Sequence, residues 1–300
     1  MTPSWRAWGI AFALAGTVAV AFRPVFIKLG YAAAGPGGLS PTTLVFLRMM
    51  ITLPVFAAMA WWPRQAAPIA ARDWWGIVGL GLIGYYAAAI LDFAGLQYVP
   101  AGVGRLIMFL YPTIVILLSA AFLARRPTRN ELAALVMTYA GIALVVSRHL
   151  DAGAANDRYL LGVGLIFGSA VCYAIYLVAG SSLVHRVGSA RFTGYTMMVS
   201  TVPVVIQFLL LEDFGALTLP PAAWTYVLLI AGVCTALPVY LVAESLKRIG
   251  ANHFALIGAL GPVTTVLADF MLLDGALGLT QLLGGLLVVS GVLLVSVKRS

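Results

Sequence analysis

Apolar residues run through this chain in long, nearly unbroken stretches parted by short clusters of Gly, Pro and charge. They fall near residues 7–29, 41–63, 73–96, 101–124, 129–147, 159–181, 191–211, 221–246, 251–273 and 277–297. The runs are continuous rather than alternating, which is the pattern of helices surrounded by apolar material and not of barrel strands with one polar face. A helix needs about 20 such residues to cross the hydrocarbon core. The pattern therefore predicts an all-α membrane protein of ten transmembrane helices, because in lipid only a helix or a closed barrel satisfies its own backbone groups.

Composition agrees with the pattern. Of 300 residues, 62% are hydrophobic and 9% charged, and the mean hydropathy of +1.02 lies far above that of soluble domains. Ten spans and their loops leave no room for a separate soluble domain. The formal charge of +8 could suggest a nucleic-acid partner, but its placement argues for topology instead. Arg6, Arg64, Arg72, Arg125, Arg126, Arg129, Arg186, Arg191, Lys247, Arg248, Lys298 and Arg299 fall at the two ends of the chain or in the even-numbered loops. The odd-numbered loops carry only Arg148 and Arg158, with Lys28 near the end of the first span. By the positive-inside rule both termini are cytoplasmic and the number of spans is even. Cys172 and Cys234 lie within spans and are expected to be free thiols. Ala19-Val20-Ala21 resembles a signal-peptidase site, yet cleavage there would remove a helix from the repeat described next, so an uncleaved first helix is expected.

A shift of 150 residues aligns Leu96–Val146 with Leu246–Ser296 without a gap, with 12 of 51 positions identical, including Pro112 with Pro262 and Gly141 with Gly291. A shift of 149 brings Ser40, Met49, Thr52, Pro54 and Val55 onto Ser189, Met198, Thr201, Pro203 and Val204. The chain thus reads as two copies of a five-helix unit, 7–147 and 159–297. Five is odd, so the copies enter the membrane from opposite sides. Two inverted five-helix repeats are the architecture of secondary transporters, with a substrate site between the halves near the midplane. The paired prolines, Pro54 with Pro203 and Pro112 with Pro262, each remove an intrahelical hydrogen bond and are candidate kinks or hinges.

Tyr85-Tyr86, Leu91-Asp92-Phe93, Gly95-Leu96-Gln97-Tyr98, Arg105-Leu106 and Phe109-Leu110-Tyr111-Pro112 together resemble the EamA branch of the drug/metabolite transporter superfamily. Phe46-Leu47-Arg48-Met49 looks like that family's second-helix arginine, and Ala251, Pro262, Gly284-Gly285 and Gly291 repeat the look in the second copy. The resemblance covers nearly the whole chain. It implies a bacterial inner-membrane carrier, in many members an exporter of amino acids, metabolites or toxic compounds. Two departures stand out: the Glu that many members carry at the end of the fourth helix of each unit is Ala124 and Asp274 here, and the first helix lacks the usual Trp-Gly/Ser pattern near its middle, reading Ala19-Val20-Ala21-Phe22-Arg23-Pro24.

Ionisable side chains inside spans cost at least about 2.5 kcal/mol each to insert, so those present call for partners or a polar cavity. At 1.5 Å per residue, Asp92 and Arg105 lie at one depth on either side of the turn between the third and fourth spans and are placed to pair. Arg48 reaches a similar level, and Arg23 approaches it from the other side. Arginine stays protonated, and its planar fork matches a carboxylate or phosphate. Arg23, Arg48 and Arg105 are therefore candidates to line a site for an anionic group, with Asp92 holding Arg105; a static ion pair with snorkelling arginines is the plainer alternative. Glu244, Asp269 and Asp92 are candidate proton-coupling carboxylates, though Glu244 with Lys247 also reads as a helix-end pair. Glu244 and His253 flank the turn expected between the eighth and ninth spans, where Lys247 and Arg248 also lie. Tyr85, Tyr86, Tyr111, Tyr173 and Tyr176 fall where a site between the halves would be lined, and could hold a planar or apolar substrate portion or simply pack. Trp61-Trp62 and Trp74-Trp75 flank a basic loop as interface anchors.

An integral membrane enzyme would need metal or catalytic clusters, yet His149, His185 and His253 sit on separate segments and no acidic pair recurs within a span. No enzyme activity, cofactor or metal is expected. The function expected is secondary transport of small metabolites, by export, with amino acids or organic acids as substrates; a multidrug exporter of cationic or apolar compounds is the alternative. Partners are the substrate, protons as coupling ion and the bilayer, and monomer and homodimer are both open.

Overall fold

A computed structural model describes residues 3–61, 68–122, 128–149, 157–258, 260–273 and 278–297. Among these, the regular structure is helical: α1 (Pro3–Ala21), α2 (Arg23–Ala34), α3 (Pro41–Trp61), α4 (Ala71–Gly81), α5 (Ala88–Gly95), α6 (Ala101–Met108), α7 (Tyr111–Phe122), α8 (Arg129–His149), α9 (Asp157–Val187), α10 (Ser189–Leu211), α11 (Pro221–Leu228), α12 (Leu237–Gly258), α13 (Leu260–Leu272) and α14 (Leu279–Val297). Seven segments are long and apolar enough to span a membrane, the first being Trp5–Ala34, and three shorter apolar helices occur at Leu132–Val145, Leu260–Leu272 and Leu282–Gly291.

Several spans are discontinuous. The first bends at Phe22, where Pro24, in the first turn of α2, has no N–H to offer the preceding turn. Thr265 Oγ1 of α13 donates to the Ala21 carbonyl beside the bend at 2.7 Å. The third span passes from α4 to α5 through a π-helical stretch, Leu82–Ala87, and α11 passes to α12 through another, Leu229–Ala236. The fourth breaks at Phe109-Leu110, so Pro112 falls in the first turn of α7. Pro262 likewise opens α13, whereas Pro54 and Pro203 lie inside helices that stay unbroken. π-stretches of this kind are most frequent at functional sites.

One boundary differs from expectation. The turn placed between the eighth and ninth spans at 246–251 is helical, with α12 running to Gly258. In the first copy the corresponding turn ends at Pro100, which holds an extended conformation ahead of α6; the second copy has Gly250 at that position, and polar residues alone do not stop a helix as a proline does.

Helix association in lipid rests on close packing and interhelical polar contacts, since the lipid tails are as apolar as the side chains. The main partners are α8 with α14, α1 with α12, α3 with α10, and α5 with α9, so each helix pair joins one half of the chain to the other. Packing of α8 on α14 is reciprocal. A Cβ on Gly141 would lie 2.6 Å from the Gly284 carbonyl and 3.0 Å from Val288, while one on Gly291 would lie 2.9 Å from the Ala134 carbonyl and 2.5 Å from Thr138. Adding 150 to Gly141 gives Gly291, and subtracting it from Gly284 and Val288 gives Ala134 and Thr138. Such exchange of equivalent contacts is what a two-fold relation between helices produces.

Candidate functional site

The charged residues of the first copy meet at the discontinuities. Arg23 opens α2 at the bend, and its Nη2 donates to Asp92 Oδ2 on α5 at 3.0 Å. Asp92 was expected to hold Arg105; it holds Arg23 instead. Distance along a helix gives a residue's depth but not the direction its side chain leaves the axis, and it is the Arg23 side chain that reaches α5. Tyr31, two turns along α2, reinforces this contact by donating to the Phe93 carbonyl at 2.9 Å.

Arg48 on α3 is 5% exposed, and its guanidinium lies 5.2 Å from the centre of the Phe93 ring, a cation–π contact rather than an ion pair. Arg105 on α6 reaches α13, with Nη2 3.1 Å from where a Cβ on Gly261 would stand; Thr17 of α1 borders the same point. Arg23 and Asp92 act electrostatically on both Arg48 and Arg105. The Nε of Arg23, of Arg48 and of Arg105 is buried without a hydrogen-bond partner, as is the Thr17 hydroxyl. A buried donor left without a partner is costly. Arg23 keeps 22% of its side chain exposed although it lies inside a span.

Four of the five tyrosines join it. Tyr111 and Tyr173 meet edge to face with ring centres 5.1 Å apart. Tyr173 stacks near Tyr176 at 6.1 Å, and Tyr85 meets Tyr176 at 5.0 Å with their hydroxyls 3.4 Å apart. Tyr173 also feels the charges of Arg23 and Arg105, and Tyr85 that of Arg48. Gly84, in the π-stretch, lets the Tyr176 ring lie against the backbone, since a Cβ there would stand 2.5 Å from it. Tyr86 points elsewhere: it donates to Gln207 Oε1 at 2.7 Å, and Gln207 donates to Thr42 Oγ1 at 2.9 Å. Close by, Ser40 donates to Glu212, so this second polar set ties α3 to the end of α10.

The other carboxylates lie apart from the cluster. Asp269 of α13, 3% exposed, accepts from the Gly102 N–H at the start of α6 at 2.9 Å, a helix-capping contact between the two copies. Lys28 feels its charge and donates to the Val99 carbonyl at 2.7 Å. Glu244 pairs with Arg248, four residues on, at 2.8 Å, and Arg248 in turn covers the rings of Trp5 and Phe12 at 4.6 Å each. The side chains of Lys247 and His253 and all of Ala124 and Asp274 lie outside the described residues. Cys172 and Cys234 are free, and Cys234 feels the charge of Arg23. No cluster that could hold a metal occurs among the described residues.

Sequence reasoning missed Thr17, Gly84, Gly261 and the Asp73–Arg186 pair, in which Arg186 Nη2 reaches Asp73 Oδ1 at 2.9 Å and joins α4 to α9. Glycine and threonine in an apolar run carry no signal of their own, and Asp73 and Arg186 read as ordinary helix-end charges.

Broken helices surrounding a buried, charged and partly open centre define a multi-pass membrane protein of the transporter class. The EamA-like transporter family model matches residues 7–147 and 160–297, and the chain belongs to that family, a ten-helix fold. It is 29% identical over 284 residues to "Uncharacterized transporter YcbK" of Bacillus subtilis, covering 92% of this chain and 88% of that protein. It is 26% identical over 271 residues to a protein of Streptantibioticus cattleyicolor named "Probable terminal-alkyne amino-acid exporter", covering 90% and 87%. One solved crystal structure superposes with a TM-score of 0.63 over 95% of this chain and 96% of that one, at 20% identity, a likeness of fold.

Proposed function

We propose that this transporter exports small metabolites carrying a carboxylate, amino acids or organic acids, from a bacterial cell by alternating access. The observation that supports this reading is the convergence of Arg23, Arg48 and Arg105 on the single carboxylate of Asp92, with buried donors left over. Guanidinium groups take carboxylates through paired N–H donors and bind more strongly when water is excluded. The relative named as an amino-acid exporter supports the same substrate size and charge. In this reading the chain sits in the inner membrane with both termini cytoplasmic, runs on protons and has no catalytic role.

The discontinuities fit such a mechanism. A helix interrupted by a bend, a break or a π-stretch can move its two segments separately. The interruptions here lie beside the arginine cluster, so a movement that opens one end would also rearrange what holds the substrate. Reconstituted protein loaded with a mixture of labelled amino acids and organic acids tests the proposal. Arg23→Gln, Arg48→Gln and Arg105→Gln are each expected to cut carboxylate transport at least tenfold with normal expression. Unchanged transport in all three would overturn the proposed site.

A further inference from the structure

The repeats contribute unequal halves to this centre. Every charged member comes from the first copy: Arg23, Arg48, Asp92 and Arg105. At the 150-residue spacing, which also brings Gly30 onto Gly180, the counterparts of Arg23, Asp92 and Arg105 are Tyr173, Val242 and Ala255, and at 149 that of Arg48 is Met197. Tyr111, at the edge of the cluster, has Gly261 as its counterpart, and Arg105 reaches toward the space that glycine leaves. What the second copy sets against the cluster is Tyr173, Tyr176, Cys234 and Gly261. Among the described residues, the first copy supplies the cations together with Tyr85 and Tyr111, and the second supplies Tyr173 and Tyr176 and no charge.

The charge count within the cluster narrows the ligand further. Among the described residues, Asp92 is the carboxylate that acts on Arg48 and Arg105, and it is already bonded to Arg23. Two positive charges remain without a negative partner, on Arg48 and Arg105, whose Nε donors are buried and unpaired. A carboxylate relieves that surplus, and an ammonium group on the adjacent carbon adds to it. At an effective dielectric of about 20, a further cation about 6 Å from one uncompensated guanidinium weakens binding about a hundredfold.

We infer that the preferred substrate is an amphipathic organic acid without an ammonium group, its carboxylate on Arg105 and its apolar or aromatic body on the tyrosines of the second copy. This rests on the carboxylate-carrier reading above and chooses between the two substrate types that reading allows. Among the described residues, nothing in the cluster supplies a free carboxylate for a zwitterion's ammonium, and the attraction of the ring faces for it is weaker than the repulsion from an uncompensated guanidinium.

Three compounds with one carbon skeleton test it: 3-phenylpropionate, phenylalanine and 2-phenylethylamine, with 4-methylpentanoate and leucine as an aliphatic pair. Binding to the purified full-length protein is measured by calorimetry, and exchange of labelled compound in proteoliposomes provides the transport readout. 3-Phenylpropionate is expected to bind about a hundredfold more tightly than phenylalanine, and Arg105→Gln to bring that ratio down at least fivefold. If phenylalanine and leucine bind as tightly as their deaminated partners, or more tightly, the inference is overturned while the carboxylate carrier stands. Binding of the amine alone overturns both. Binding of none of the five overturns the inference, and the arginine variants then judge the carrier reading separately.

Discussion

Replacing Asp92 by Asn tests the electrostatic account of the cluster most directly. The variant keeps the shape of the side chain and removes the carboxylate that, among the described residues, acts on Arg48 and Arg105, so the charge of Arg23 then bears on both without an offset. Removing one partner of a buried ion pair costs about 3–5 kcal/mol, because the other charge stays buried and uncompensated. Asp92 is 7% and Arg23 22% exposed at the side chain, so water screens the pair little, and the like charges nearby push the cost toward the upper end. Arg23→Gln is the informative contrast. It breaks the same 3.0 Å contact, yet it leaves Asp92 within reach of Arg48 and Arg105 and lowers the repulsion among cations, so it should cost less than about 2 kcal/mol. Thermal unfolding of detergent-purified protein measures both. At about 2 °C per kcal/mol for a chain of this size, Asp92→Asn should lower the midpoint by about 6–10 °C and Arg23→Gln by less than about 4 °C. A saturating carboxylate ligand should recover part of the loss in Asp92→Asn by supplying the missing negative charge. Equal losses in the two variants, or a larger loss in Arg23→Gln, would show that the contact acts as an isolated pair and would refute the cluster as a unit with surplus positive charge.

Three glycines separate fold from function. Gly141→Leu drives a side chain into the Gly284 carbonyl, 2.6 Å from its Cβ, and should destabilise by about 1–3 kcal/mol or block folding; Gly164→Ala, with open space around it, should be neutral or stabilising by up to about 1 kcal/mol, as unfolding midpoints and expression will show. Gly261→Ala places a methyl 3.1 Å from the end of the flexible Arg105 side chain, so the unfolding midpoint should hold within about 2 °C, a shift worth about 1 kcal/mol. Its apparent affinity for carboxylates should fall at least threefold in transport assays, and an unchanged affinity would remove Arg105 from the binding centre.

The spans were legible because insertion in lipid demands long apolar runs, and the arginines because a cation within such a run stands out against everything near it. Tyr85, Tyr111, Tyr173 and Tyr176 were expected at the site from the spans they occupy, and the shared level of Asp92 and the arginines followed from depth along the helices. The choice of partner did not. Asp92 and Arg105 share a level, but it is Arg23 that reaches Asp92, and only the direction of each side chain around its axis decides between them. Tyr86 shows the same limit: it neighbours Tyr85 in sequence and lies on another wall, bonded to Gln207. The boundary near residue 250 was misplaced for a local reason. The basic cluster Lys247-Arg248 suggested a loop, but without a counterpart to Pro100 nothing in the backbone obliges the helix to stop.

Reciprocal contacts and unequal chemistry divide the two copies along a physical line. Gly141 and Gly291, which pack copy against copy, are the same residue in both, because the contact each makes is the other's contact reversed. Positions that face the centre are free of that constraint. A symmetric centre would hold six arginines and two aspartates, and the uncompensated charge would double in the same volume. Confining the cations to one copy holds the surplus at two positive charges. A ligand bound across such a centre touches both halves with different groups. A carboxylate that draws Arg105 inward also loads α13 through Gly261, which connects binding to the contact between α6 and α13 that Asp269 closes at its other end.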